Sequence, residues 1–196
     1  MLFCGENIQK KKLVVCMTGA TGSIYGYRLM LACSKIQHLE THAVVTGSAE
    51  ETLRIELGIT AKEVLKNATF HYREDDFTAP IASGSFNTDG MVVAPCSMKT
   101  LSSIATGFEQ NLVARAAMVA LKERRPLILL TRESPLNAIH LHNMLAVNQA
   151  GGTIMPPLPP FYFGMKSIEE LVDITVGRVL NMLGIETKMH KQWGVD

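Results

Sequence analysis

Five short runs rich in branched apolar residues, at 13–17, 42–46, 91–94, 127–130 and 153–155, punctuate this chain, and longer stretches of helical periodicity lie between them. The helical stretches fall at 24–35, 49–57, 99–106, 112–122 and 136–149, with a last one at 167–183. Strands alternating with helices call for right-handed crossovers. That predicts a three-layer, doubly wound α/β domain whose parallel sheet is covered on both faces. In such sheets ligands sit at the carboxyl ends of the strands, so the residues just after each strand are expected to converge on one crevice.

A chain of 196 residues fits a single domain of this kind, and with 47% hydrophobic residues it can bury a sizeable core. Basic and acidic residues nearly cancel, 19 against 18, leaving a formal net charge of +1. That offers no broad positive field to a nucleic acid or an anionic membrane, so any anion site must be local. The one basic cluster along the sequence, Lys10-Lys11-Lys12, precedes the first strand and reads as a solvated tail. Cys4, Cys16, Cys33 and Cys96 show neither a C-x-x-C pair nor metal-ligand spacing, which predicts reduced, buried thiols. No apolar stretch approaches bilayer length, and residues 1–9 lack the basic-then-apolar order of a secretion signal. A cytoplasmic protein is expected.

After the first strand comes Thr18-Gly19-Ala20-Thr21-Gly22-Ser23, a glycine-rich turn whose free N–H groups at the next helix start suit a phosphate. Such turns also occur without a ligand. Thr46-Gly47-Ser48 after the second strand reads as a simple helix cap. The third strand runs into Pro95-Cys96-Ser97-Met98-Lys99-Thr100, which gathers two hydroxyls and an amine where a cap needs one hydroxyl. The fourth exits into Thr131-Arg132-Glu133-Ser134-Pro135, placing a guanidinium and a carboxylate at the crevice. Arg115 and Lys122, seven apart, share one face of a helix. Arg115 lies in a mostly apolar stretch and needs an anionic partner. Arg178, at the edge of the last helix's apolar stripe, either reaches inward or snorkels at the surface. The run Pro156-Pro157-Leu158-Pro159-Pro160 stiffens the backbone before Phe161-Tyr162-Phe163, presenting rings to a ligand or a neighbouring subunit, or packing as an ordinary loop. These groups suit two phosphorylated ligands, or one ligand with several charges.

The sequence resembles the flavin prenyltransferase (UbiX-like) family, a flavodoxin-like, Rossmann-like group. Gly19-Ala20-Thr21-Gly22, Ser83-Gly84-Ser85-Phe86, Pro95 through Thr100, Lys122-Glu123-Arg124-Arg125-Pro126-Leu127, Arg132-Glu133-Ser134-Pro135-Leu136 and Met155-Pro156-Pro157 through Tyr162 stand in the family's order. The resemblance implies a tail at 1–11, a flavin-binding domain at 12–185, and a C-terminal tail at 186–196 that packs on a neighbouring subunit. It implies FMN held by Gly19, Ala20, Thr21, Thr46, Ser97, Met98, Lys99, Thr100 and Arg132. Dimethylallyl phosphate would be gripped by Lys122, Arg132, Tyr162 and Arg178, with Trp193 near it, in a homo-oligomer, a dodecamer, whose subunits complete the site. Glu133, Lys122, Arg115 and Glu56 are the implied catalytic residues, and no metal is required.

The implied reaction joins a dimethylallyl group to N5 and C6 of reduced FMN, and the prenylated FMN goes to a UbiD-like decarboxylase. Fixed cations would meet the departing phosphate, and Glu133 would move the proton of ring closure. Thr21 and Thr46 stand where serine is usual and keep the hydroxyl. Met118 stands where aspartate is usual, which leaves Arg115's partner open. Two other readings remain: an FMN-dependent decarboxylase of the same architecture, acting on a cysteine-type thiol or an aromatic acid, and a non-catalytic flavin carrier, against which the cations argue.

Overall fold

A computed structural model of the chain describes residues 10–187 and residue 189. Six strands form one sheet: β1 (Lys11–Met17), β2 (Leu39–Val45), β3 (Phe70–Tyr72), β4 (Gly90–Cys96), β5 (Leu127–Thr131) and β6 (Thr153–Ile154). Every pair is parallel, in the order β3-β2-β1-β4-β5-β6. Without the edge strand β3, the order is that of flavodoxin. The helices are α1 (Ser23–Cys33), α2 (Gly47–Leu57), α3 (Ala61–Leu65), α4 (Met98–Thr106), α5 (Leu112–Lys122), α6 (Ala138–Gln149) and α7 (Ile168–Met182).

The strand pleat sorts the core into two layers. Leu13, Val15 and Met17 of β1 pack with Leu29 and Met30 of α1 and with Val172 and Val176 of α7. Val14 and Cys16, pointing the other way, pack with Leu101 and Ile104 of α4 and with Val113 and Ala117 of α5. Each such side chain, when fully buried, contributes about 1.5–3 kcal/mol. Helix α1 lies so close to the sheet that a Cβ at Gly26 would stand 2.1 Å from the Ala94 carbonyl oxygen. A residue larger than glycine there would force α1 off the strands.

Side chains of Thr46, Ser97, Asn111, Asn137 and Ser167 accept N–H bonds in the first turns of α2, α4, α5, α6 and α7, which fixes where those helices begin. Helix α6 is different: Val147 is its one buried residue, while Ile139, Leu141 and Leu145 are more than half exposed. Those three side chains have little cover among the described residues.

The Lys10-Lys11-Lys12 run is not a free tail. Lys11 and Lys12 open β1. The Lys11 ammonium donates to the Gly184 carbonyl at 2.7 Å, and that of Lys12 sits 4.5 Å over the Phe86 ring, 3.9 Å from Glu40. Cys16, Cys33 and Cys96 are free and buried. Burial pushes the Cys33 and Cys96 thiols up to about 12. Cys4 lies outside the described residues. Among the described residues no helix is long and apolar enough to cross a membrane, and no cluster of His, Cys, Asp and Glu is arranged to hold a metal.

Candidate active site

All strands being parallel, their carboxyl ends share one edge, and the order reverses between β1 and β4. In sheets of this kind the ligand crevice lies at such a reversal. Its floor is stitched by the turns that leave the strands. The Thr18 hydroxyl donates to the Pro95 carbonyl at 2.9 Å and accepts the Ser97 N–H at 2.9 Å. Thr46 N–H bonds the Met17 carbonyl at 3.1 Å, and Arg132 N–H bonds the Cys96 carbonyl at 3.2 Å. Thr18 and Pro95 thus tie the first turn to the third.

Three helices start at this crevice, and two of the starts are filled by carboxylates of the chain itself. At α1, Glu56 accepts the Gly22 N–H at 3.0 Å and the Ser23 N–H at 2.8 Å. Burial raises the Glu56 carboxyl's pKa, but hydrogen bonds from Thr21, Ser23 and Gly22 outweigh that and hold it below the ordinary value. Two of the N–H groups expected to be free for a phosphate, those of Gly22 and Ser23, are therefore taken. At α2, Glu74 accepts the Gly47 N–H at 2.8 Å, and Thr46 accepts that of Ala49 at 3.2 Å. Gly19 is pressed against this start, since a Cβ there would stand 2.4 Å from Ser48 Cβ.

The third start, α4, remains open. Ser97 accepts the Thr100 N–H at 3.2 Å, no acidic residue lies in the first turn, and no hydrogen bond among the described residues takes the N–H groups of Met98 and Lys99. Two open amides, a hydroxyl and the Lys99 ammonium suit a phosphate. Thr131, at the end of β5, has a buried hydroxyl without a partner among the described residues. The residues at this edge therefore fit a phosphorylated, hydrogen-bonding ligand such as FMN. Arg132 follows and faces Tyr25 of α1: burial raises the Tyr25 phenol's pKa, and the Arg132 charge offsets part of the rise. Glu133 is exposed, one oxygen accepting the Ser134 N–H at 3.0 Å.

The expected cations do not all meet in one chain. Arg132 is at the carboxyl edge. Lys122 ends α5, just before β5 begins, and so stands at the amino edge, paired with Glu123. Arg115 projects from the middle of α5, and Arg178 is exposed on α7 without a partner among the described residues, not turned inward. Tyr162, also exposed, lies in the short turn Phe161–Phe163 with its ring 4.4 Å from that of Phe163. Trp193 lies outside the described residues.

Arg115's partner is Glu109, both of whose oxygens accept from Nη1 at 3.0 Å, while Nε donates to the Ala82 carbonyl at 2.9 Å. Sequence reasoning missed Glu74 and Glu109. Both act from loops, where no helical spacing announces a partner.

The Flavoprotein family model matches residues 4–180 of this chain. A probable UbiX-like flavin prenyltransferase of Bacillus subtilis is 54% identical over 184 residues, covering 94% of this chain and 90% of that protein. The flavin prenyltransferase UbiX of Methanocaldococcus jannaschii is 46% identical, covering 93% and 98%. A crystal structure of AnUbiX with FMN and dimethylallyl pyrophosphate aligns at a TM-score of 0.93 and 44% identity, over 96% of this chain and all of that one. A dodecameric FMN-dependent UbiX-like decarboxylase from Escherichia coli O157:H7 aligns at 0.91 and 44%, over 94% and 100%. The FMN-dependent cysteine decarboxylase TvaF, 22% identical at a TM-score of 0.60 over 78% of this chain and 92% of that one, shares the fold alone.

Proposed function

Because this chain belongs to the flavoprotein family, among the UbiX-like flavin prenyltransferases, we propose that it transfers the dimethylallyl group of dimethylallyl phosphate to N5 and C6 of reduced FMN. The product, prenylated FMN, serves a UbiD-like decarboxylase. The observation that supports the reading is the contrast among the crevice helices: carboxylates of Glu56 and Glu74 sit at the starts of α1 and α2, whereas α4, among the described residues, has no carboxylate at its start and offers two open amides with hydroxyls and an ammonium. That is where Ser97, Met98, Lys99 and Thr100 would hold the FMN phosphate. Gly19, Ala20, Thr21, Thr46 and Arg132 would line the rest of the crevice.

FMN in its reduced form supplies the two nucleophilic atoms. Arg132, with Tyr162 and Arg178, meets the donor's phosphate as the C–O bond breaks and the phosphate leaves with the electron pair. Glu133 would serve ring closure in both directions, giving a proton to the middle carbon of the prenyl double bond and taking the one that C6 loses once it has bonded to the tertiary carbon. Lys122 and Arg115 reach this phosphate from a second copy of the chain, since within one chain Lys122 is on the wrong edge of the sheet. The exposed apolar face of α6, with Leu158 and Phe161 beyond it, is suited to such an assembly, a dodecamer like the Escherichia coli relative.

Anaerobic incubation with reduced FMN and dimethylallyl phosphate, followed by mass spectrometry of the extracted flavin, tests the reading. A gain of one C5H8 unit is expected. Unmodified flavin, or carbon dioxide released from an aromatic acid or a thiol peptide by the protein alone, would overturn it.

A further inference from the structure

Gly84 lies in the loop between the short helical turn Pro80–Ala82 and β4, and its φ is not among the positive values found at six other glycines. Its backbone is open to any L-residue. What excludes a side chain is space. A Cβ at Gly84 would stand 2.5 Å from the Lys122 ammonium nitrogen and 2.3 Å from Glu123 Oε1, the two ends of a direct ion pair. Around that pair the loop is fastened on both sides. Arg125 donates to the Gly84 carbonyl at 2.7 Å and to the Phe86 carbonyl at 2.8 Å. Arg115, two turns before Lys122, donates to the Ala82 carbonyl at 2.9 Å. Residues 82–86 are thus strung between two arginines, and the Lys122 ammonium lies under Gly84.

We infer that Gly84 and Arg125 are positioning residues for Lys122, holding its ammonium at one place on the surface where a prenyl donor's phosphate, bound to a second copy, can meet it. The inference rests on the reading of Lys122 as a contact of that phosphate. A lysine on its flexible stem samples many rotamers when nothing confines it, and a cation that must meet a leaving group acts best when already in place. The loop supplies the confinement from above and Glu123 from the side. A methyl group at Gly84 would meet only the free ends of two flexible side chains. It would push the ammonium aside and leave the backbone standing.

The test compares Gly84→Ala, Arg125→Lys, Lys122→Ala and the double variant Gly84→Ala/Lys122→Ala in steady-state prenylation, with FMN affinity and Tm measured alongside. Gly84→Ala is expected to raise the KM for dimethylallyl phosphate about tenfold, with FMN affinity and Tm unchanged, since a cation displaced by an ångström loses much of its grip. Arg125→Lys, which keeps the charge but lacks the two separate nitrogens that hold the Gly84 and Phe86 carbonyls, is expected to shift KM in the same direction. It carries the test if Gly84→Ala folds poorly. The double variant is expected to be no worse than Lys122→Ala, because no ammonium remains to misplace. A wild-type KM in both Gly84→Ala and Arg125→Lys, or an equal cost of Gly84→Ala with and without Lys122, overturns the positioning role. Wild-type turnover in Lys122→Ala would instead remove the reading beneath it, and that arm alone tells the two failures apart.

Discussion

Lys122 and Arg132 stand at opposite edges of the sheet: one closes α5 before β5 begins, the other follows the last residue of β5. At about 3.3 Å per residue, β5 alone separates their backbones by roughly 16 Å, and the Lys122 ammonium is paired with Glu123 at the far edge. On the proposed reading, the two cations that meet one leaving group come from two copies.

Mixing experiments check this directly. Lys122→Ala and Glu133→Gln are each expected to keep FMN and lose turnover. Co-expressed so that subunits mix, they are expected to regain activity well above either parent, because some sites receive both intact residues. Mixed assemblies no more active than their parents would show that the two residues do not serve a shared site.

Assembly itself is expected to depend on α6. Leu145 on that helix is 54% exposed among the described residues. Leu145→Glu should leave the protomer folded, since an exposed position tolerates charge, yet reduce the particle mass seen by light scattering. Turnover should fall with it.

Ser97→Ala removes the cap of α4 and a hydroxyl from the open helix start, costing about 1 kcal/mol of stability. FMN affinity, followed by flavin fluorescence, is expected to fall about tenfold, as for a lost hydrogen bond to a charged group. Ser167→Ala supplies the control, because it loses the equivalent cap on α7. It should cost similar stability and leave FMN affinity alone.

Glu56 and His42 give opposite chemistries but the same direction of pH dependence. The folded Glu56 carboxyl titrates below its ordinary 4.5, so its stabilisation is present above that value and fades as pH falls through the folded value. Glu56→Gln should lower Tm by about 2–4 °C at neutral pH, with the gap closing in acid.

His42 is 2% exposed, between the Tyr72 hydroxyl and a Glu40 oxygen, each at 2.8 Å, and stacked on Phe70. Burial lowers its pKa from 6.5, aided by nearby Lys12 and opposed by Glu40. The fold holds the neutral ring, so stability is expected to decline as pH drops below 6.5. Thermal melts should show a shallower decline for His42→Gln than for the wild type.

The five principal strands and six of the helices were legible because each is either a short apolar run or a long periodic one. The edge strand β3 was not. Phe70, His71 and Tyr72 are too few to show alternation, and what holds them is His42, distant in sequence. Helix α3 carried a readable sign, the capping box Thr60 to Glu63, but at five residues it has no periodicity. In the candidate site, hydroxyls and cations after the strands were readable because topology puts them on one edge. The charges that neutralise helix starts were not, since Glu74 arrives from a loop that the sequence leaves unplaced, and Glu56 acquires its capping role only when α2 folds beside α1.

Those two carboxylates also decide which way round a ligand can lie. A phosphate brought to α1 or α2 meets like charge already in residence, whereas at α4 it meets donors. On the proposed reading, an elongated phosphate ester entering the crevice is expected to take a single polarity: one end anchored at α4, the other directed across the sheet toward Arg132, and the reversed pose repelled by the chain's own acids.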